Sequence, residues 1–275
     1  MKLRAISFYL GLFCFPISML AFINILYSSY FDYFLHVDSY TVTLILSFVI
    51  GIVLFYSGKK TEKKLDFLNQ LVLVLFTYIL ISIFISIPYY LSNYQISLIN
   101  AFFESFSGLT VTGFSIFTNI KYLDPTLILW RSSSQWLGGI YFLIFLILIF
   151  SNNQFNYKFN NLVFTNNNFK INENNIFNIF VKIILIYLFL GIIIFTFLSF
   201  SGVRLYNALN LSMTILSTGG FLPTNTLSQI INTNGQKFAL LISMILPFLN
   251  FYLIINLHNT ISKHREDLTL LIIIL

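Results

Sequence analysis

Asn100-Ala101-Phe102-Phe103-Glu104-Ser105-Phe106-Ser107-Gly108-Leu109-Thr110-Val111-Thr112-Gly113-Phe114 returns 107 positions later as Asn207-Ala208-Leu209-Asn210-Leu211-Ser212-Met213-Thr214-Ile215-Leu216-Ser217-Thr218-Gly219-Gly220-Phe221. The asparagine, alanine, serine, leucine, glycine and phenylalanine coincide at that single offset without a gap. Each copy reads as a short amphipathic helix running into a hydroxyl-rich tetrapeptide that ends in glycine. Neither copy reaches the length of about 20 mainly apolar residues that a helix needs to cross a bilayer. Each lies between two long apolar stretches. Non-helical backbone at membrane depth survives only where protein buries it or where it lines a watery path. A repeated helix-then-loop in this setting is a candidate ion-selectivity element.

The surrounding composition supports a membrane setting. The 275 residues are 57% hydrophobic and 9% charged, with a mean hydropathy of +0.85. Soluble domains carry roughly 25% charged residues, so the chain reads as an all-α integral membrane protein. The single cysteine, Cys14, excludes an internal disulfide and a cysteine-based metal site. The net charge of +6 is concentrated in particular loops and does not point to nucleic acid. The apolar stretch that follows Lys2 and Arg4 is longer than the roughly 7–15 residues of a signal-peptide core, so it reads as a retained helix. Spans are expected at about 5–27, 40–57, 67–91, 126–150, 176–200 and 237–258, with re-entrant segments near 97–115 and 204–222. Leu268–Leu275 begins another apolar run.

Loop charge sets the orientation. With the N-terminus inside, Lys2, Arg4, Lys59, Lys60, Lys63, Lys64, Lys158, Lys170, Lys182, Lys263 and Arg265 fall on the cytoplasmic side. Lys121, Arg131, Arg204 and Lys237 fall outside. Eleven against four puts both re-entrant segments on the outer side. Asn152–Asn178, with twelve asparagines, has the composition of a solvated linker.

Several motifs in order now resemble one family, the Trk/Ktr/HKT superfamily of potassium-uptake membrane subunits. Phe102–Gly113 looks like the first pore helix and filter of the Trk type, with Val111 where threonine is frequent. Leu129-Trp130-Arg131-Ser132 and Gln135-Trp136-Leu137-Gly138-Gly139 resemble the first inner helix. Ser217–Phe221 resembles the second filter, Leu249-Asn250-Phe251 the second inner helix, and Arg265-Glu266-Asp267-Leu268 the approach to a third unit. The resemblance implies an N-terminal helix pair followed by four outer-helix/pore-helix/inner-helix units around one pore. In this chain it implies the helix pair at 1–64, a first unit at 65–151 and a cytoplasmic Asn-rich linker at 152–175. A second unit follows at 176–258, and 259–275 opens a third that is cut short. It also implies a cytoplasmic nucleotide-binding regulatory subunit, assembly as a homodimer or with a complementary half-chain, and a place in the bacterial cytoplasmic membrane.

The chemistry of the two tetrapeptides fits a cation. A potassium ion sheds its hydration shell only where oxygens replace it, and converging backbone carbonyls can do so. Thr110, Val111, Thr112 and Gly113, with Ser217, Thr218, Gly219 and Gly220, are the expected ion-lining residues. Their hydroxyls add oxygens, glycine permits unusual backbone, and each pore helix turns its negative C-terminal end toward the ion. Glycine after hydroxyl residues is also an ordinary helix C-cap, and that alternative stands beside the filter reading. Selectivity is expected to depend on Gly113 and Gly220 far more than on Gly138 or Gly191, with Gly138-Gly139 serving helix packing.

Glu104, ionisable at membrane depth, is a functional candidate by default, or is hydrated or bonded to backbone near the outer end. Arg131 and Lys182 are expected to snorkel, and Asn250 and Asn256 to bond between helices. His36, His258 and His264 share no ligand spacing. No nucleophile, base or phosphate cradle is present, so the chain reads as no enzyme and needs no cofactor. The leading expectation is potassium uptake through a pore to which this chain contributes part. A non-conducting fragment is the second reading. A secondary transporter with broken helices is the third, and it predicts inverted repeats, whereas the two units run in the same direction by loop charge.

Overall fold

The structure is a computed structural model that describes residues 2–31, 37–59, 65–150 and 173–248. Its long helices are α1 (Leu3–Tyr30), α2 (Val37–Gly58), α3 (Phe67–Tyr90), α5 (Pro125–Phe150) and α6 (Glu173–Phe200). Three short helices complete the set: α4 (Leu98–Leu109), α7 (Leu205–Leu216) and α8 (Asn234–Ile245). The five long ones are each long and apolar enough to cross a membrane, so the chain is a multi-pass membrane protein. The two short helices at the repeated sequence, α4 and α7, differ in position by the same 107 residues at both ends.

Local signals explain the helix boundaries. Ser97 caps α4, its Oγ accepting from the Asn100 amide at 3.3 Å. Pro125 takes the first position of α5, where its missing N–H is no loss, and the preceding Asp124 carbonyl accepts from Leu127 and Ile128. Thr233 and Gln236 form a capping box at the start of α8. The spans run slightly past their apolar cores because helical hydrogen bonding continues where hydropathy has already fallen. For the same reason α6 starts at Glu173, inside the stretch expected to be linker at 152–175. The remainder of that linker, 152–172, lies outside the described residues. So do Leu249-Asn250-Phe251, Asn256, the 259–275 segment and all three histidines.

The sixth expected span, 237–258, begins as α8. It changes to a 3-10 turn at Leu246–Phe248, where Pro247 disfavours an α-helical continuation. Its second half is outside the described residues.

The helix pair α1–α2 packs closely through Gly11 and Gly58, where the facing backbone leaves no room for a Cβ, and through Gly51, which meets the Cys14 side chain. Helix α5 is the hub, touching α1, α3, α4, α6 and α7. Three side-chain bonds fix it: Trp130 Nε1 to Ile85 O of α3, Tyr141 Oη to Phe13 O of α1, and Tyr187 Oη of α6 to Trp136 O. Both short helices therefore rest on one central helix.

Candidate functional site

The two short helices end in the same way. After α4, Thr112 N donates to Ser107 O and Val111 N to Gly108 O, both at 3.0 Å. After α7, Gly219 N donates to Thr214 O at 2.8 Å and Thr218 N to Ile215 O at 2.9 Å. This crossed pair of bonds is a Schellman motif, which places a left-handed residue just past the helix, usually glycine. Here Val111 (φ 58°) and Thr218 (φ 59°) hold that place. Both are β-branched, for which a positive φ is a genuine outlier. The helix caps are thus real, but no glycine holds their left-handed place, although Gly219 N makes one bond of the second. Gly113 and Gly220 come two residues later, so cap and glycine have separate tasks.

Beyond the caps the two segments converge. Gly113 has φ +80°, and a Cβ built on it would lie 2.9 Å from both Cα and N of Gly220. Thr112, Thr218 and Gly220 are exposed, Thr110, Val111, Gly113 and Gly219 half-buried, and Ser217 buried. Several hydroxyls donate to the chain's own carbonyls: Thr110 to Phe106, Ser217 to Met213, and Thr218 to Ser217. Thr110 Oγ1 and Thr112 Oγ1 also stand 2.8 Å apart. A cation here would have backbone carbonyls and the hydroxyl lone pairs as its oxygens.

One face of α5 meets these segments in sequence, through residues spaced four, three and one apart. Arg131 comes first. Its Nε donates to Glu104 Oε1 of α4 at 2.9 Å, with the two residues 1% and 0% exposed. Its Nη2 donates to Ser115 Oγ at 3.0 Å, and its guanidinium lies 4.3 Å from the Phe221 ring centroid. Glu104 also accepts from Ser115 Oγ at 3.0 Å and from Ile116 N at 2.9 Å. Arg131 therefore does not snorkel. It joins the loop after Gly113 to the loop after Gly220 from inside the protein. The expectation failed because the guanidinium has a buried carboxylate partner, and such charges are held rather than hydrated.

Gln135 follows one turn on, with Oε1 accepting from Phe221 N at 3.2 Å. Then come the paired glycines. A Cβ on Gly138 would overlap the Leu109 carbonyl at the end of α4. One on Gly139 would overlap Tyr187 Oη and stand 3.0 Å from Ser217 Cβ at the end of α7. The packing role expected of this pair is correct in kind. Its partners are the two helix ends themselves, so Gly138 is not remote from the site. Lys182 is exposed. At the loops, Asn225 Oδ1 accepts from Ile120 N at 2.6 Å, and Asn225 Nδ2 donates to Asn119 Oδ1 at 3.3 Å, a second tie between the units.

Sequence reasoning quoted Gln135 within a motif but gave it no role, passed over Asn225, and misread Arg131. A signal was available for Arg131: one acid and one base, Glu104 and Arg131, interrupt neighbouring apolar stretches.

No family model matches the chain. An uncharacterized cation transporter of Methanocaldococcus jannaschii is 29% identical over 178 residues, 64% of this chain and 36% of that protein. The Trk system potassium uptake protein TrkI of Halomonas elongata is 46% identical over 72 residues, 26% of this chain and 15% of its own length. TrkH of Escherichia coli is 26% identical over 112 residues, 40% of this chain and 23% of that protein. In fold, the crystal structure of the potassium transporter TrkH from Vibrio parahaemolyticus superposes with a TM-score of 0.80 at 20% identity. The match covers 97% of this chain and 54% of that one. The chain thus spans about half the solved structure and about a third or less of these sequence relatives. Its homologues are transport proteins, not enzymes.

Proposed function

We propose that this chain, a homologue of the Trk potassium uptake proteins, lines part of a potassium-conducting pore with 110–113 and 217–220 as two re-entrant filter segments. The observation that carries the reading is the matched geometry of α4 and α7: two short helices with the same Schellman ending, whose following glycines meet. What sets the two endings apart from ordinary helix terminators is that β-branched Val111 and Thr218, not glycine, hold the left-handed place at corresponding positions. In this reading extended backbone beyond each cap supplies carbonyls that replace the hydration shell. The negative ends of α4 and α7 favour the cation. The ion runs down its electrochemical gradient, and no covalent step occurs.

The rest of the assembly follows from the family resemblance. Residues 1–64 form the N-terminal pair, 65–151 the first pore unit, 152–175 a largely cytoplasmic linker, 176–258 the second unit, and 259–275 leads toward a third. The N-terminus lies on the cytoplasmic side of the bacterial inner membrane. With Arg131 removed from the outer count because it is buried, the basic bias becomes eleven to three. A cytoplasmic nucleotide-binding regulatory subunit is the expected partner, and a homodimer or a pairing with a complementary half-chain is the expected assembly.

The test is rubidium uptake by potassium-uptake-deficient cells expressing the chain, alone and with the C-terminal half of Vibrio parahaemolyticus TrkH. Uptake above vector in either arm, reduced by Gly113→Ser, supports the reading. Vector-level uptake in both arms, with the chain present in the membrane fraction, overturns it.

A further inference from the structure

Gln135 belongs to the central helix of the first unit, yet its side chain serves the second. Its Oε1 accepts from Phe221 N at 3.2 Å, and Phe221 directly follows the Gly219-Gly220 pair. The residue is 0% exposed, so it stands behind the segment and does not face the surface on which Thr218 and Gly220 are exposed. A Cβ on Gly219 would overlap the Gln135 carboxamide, Oε1 first. The amide therefore lies against the backbone of the second segment where the first segment has threonine, at Thr112.

The first segment is held by another device. There Ser107 Oγ, on α4 itself, donates to Phe114 O at 2.7 Å. On α7 the corresponding Thr214 turns its hydroxyl back to Asn210 O and Leu211 O. The second segment has thus lost its own helix's tether, and the side chain found bonded to it at the same place comes from the other unit. Gln135 Nε2 has no partner among the described residues. A buried amide donor left without a partner is costly, and the carboxamide that carries this one lies against Gly219.

We propose that Gln135 is a positioning residue for the second filter segment: its carboxamide fixes the backbone at Gly219–Phe221 from the neighbouring unit and so tunes which cation that segment accepts. The inference rests on the filter reading above for its effect on ions, and on geometry alone for its effect on backbone. A carboxamide suits both tasks. It accepts from Phe221 N, packs against Gly219, and places no net charge behind the cation site. Leucine fills the volume without the bond to Phe221 N, asparagine is too short to keep that bond together with the contact at Gly219, and glutamate keeps the acceptor but adds charge.

Two readouts test it on the full chain. The first is hydrogen exchange at the Phe221 amide in detergent. It should be protected in the native chain, lose protection about three- to tenfold in Gln135→Leu and Gln135→Asn, and stay nearer native in Gln135→Glu. The second is the rubidium-to-sodium flux ratio in the completed pore, normalised to membrane expression, with Gly113→Ser as control. It should change about three- to tenfold in Gln135→Leu while total expression holds. An unprotected Phe221 amide in the native chain, or exchange unchanged in Gln135→Leu, overturns the proposal. A flux ratio that moves with Gly113→Ser but not with Gln135→Leu also overturns it. If neither variant moves the ratio and Phe221 exchange still responds to Gln135, the filter reading fails and the positioning contact stands.

Discussion

Gly113 and Gly220 occupy corresponding places in two units, yet they meet unequally. A Cβ on Gly113 would press to 2.9 Å on the Cα and N of Gly220, whereas one on Gly220 would find its nearest neighbour, Gly113 Cα, at 3.5 Å. Gly113 alone of the pair has a positive φ, +80°. The repeat is therefore symmetric in its helix ends and asymmetric where the segments touch.

The first prediction follows from that asymmetry. Gly113→Ser must strain the backbone, a cost of about 1–3 kcal/mol, and must displace a neighbouring main chain that cannot rotate away. The rubidium-to-sodium ratio should shift by roughly one to two powers of ten. Gly220→Ser meets only ordinary contacts and should change the ratio by about twofold, the scale of a tolerated substitution. Equal effects of the two variants in flux measurements at matched expression would contradict this.

The Glu104–Arg131 pair gives the second. Removing one partner of a buried ion pair costs about 3–5 kcal/mol, because the other charge is left uncompensated, while replacing both with apolar groups is often neutral. Glu104→Leu and Arg131→Met should each lower the thermal midpoint of the solubilised chain steeply. The double variant should recover much of the loss. A thermal double-mutant cycle reads the coupling, and additive losses would mean the pair is not held as described.

Gly138 supplies the third. Its missing Cβ admits the Leu109 carbonyl, so Gly138→Ala pushes α5 away from the end of α4, and overpacking of this kind costs about 1–3 kcal/mol. The yield of monodisperse protein should fall. Gly191→Ala should be tolerated, since its Cβ would meet only Leu216 Cδ2, at 3.3 Å. Size-exclusion profiles of the two variants decide the matter, and similar profiles would show that α5 can retreat without cost.

The five long helices and two short ones were legible in the sequence because each rests on a signal along one segment: apolar length, a cap residue, or the 107-residue repeat. What stayed hidden is what passes between segments. Arg131 looks like a snorkelling cation when α5 is read alone, and becomes an internal clamp only once Glu104 of α4 and Phe221 of the second unit lie against it. Gln135 stood in the motif of the inner helix with no role attached, since a glutamine in an apolar helix does not say which backbone N–H it will meet. The placement of the left-handed residue was equally hidden, because propensity assigns that place to the nearby glycine and tertiary packing assigned it to Val111 and Thr218.

Those two residues yield the last prediction. Val111 and Thr218 close the Schellman motifs at φ 58° and 59°, where an L-residue with a β-branch is held against about 1–2 kcal/mol of local strain. Glycine would adopt the same backbone without that cost, although it also gives up entropy on folding. If the strain serves only to end the helices, Val111→Gly and Thr218→Gly should raise the thermal midpoint and leave cation preference alone. If the bulky left-handed residues hold the following carbonyls in place, as the filter reading requires, the glycine variants should melt no lower than the native chain yet discriminate rubidium from sodium less well. Because α4 and α7 end in the same motif, both variants should move selectivity in the same direction. Thermal scans and paired flux assays on the two variants test this. A gain in stability with unchanged selectivity in both would reduce the matched caps to helix terminators and remove the observation on which the filter reading stands.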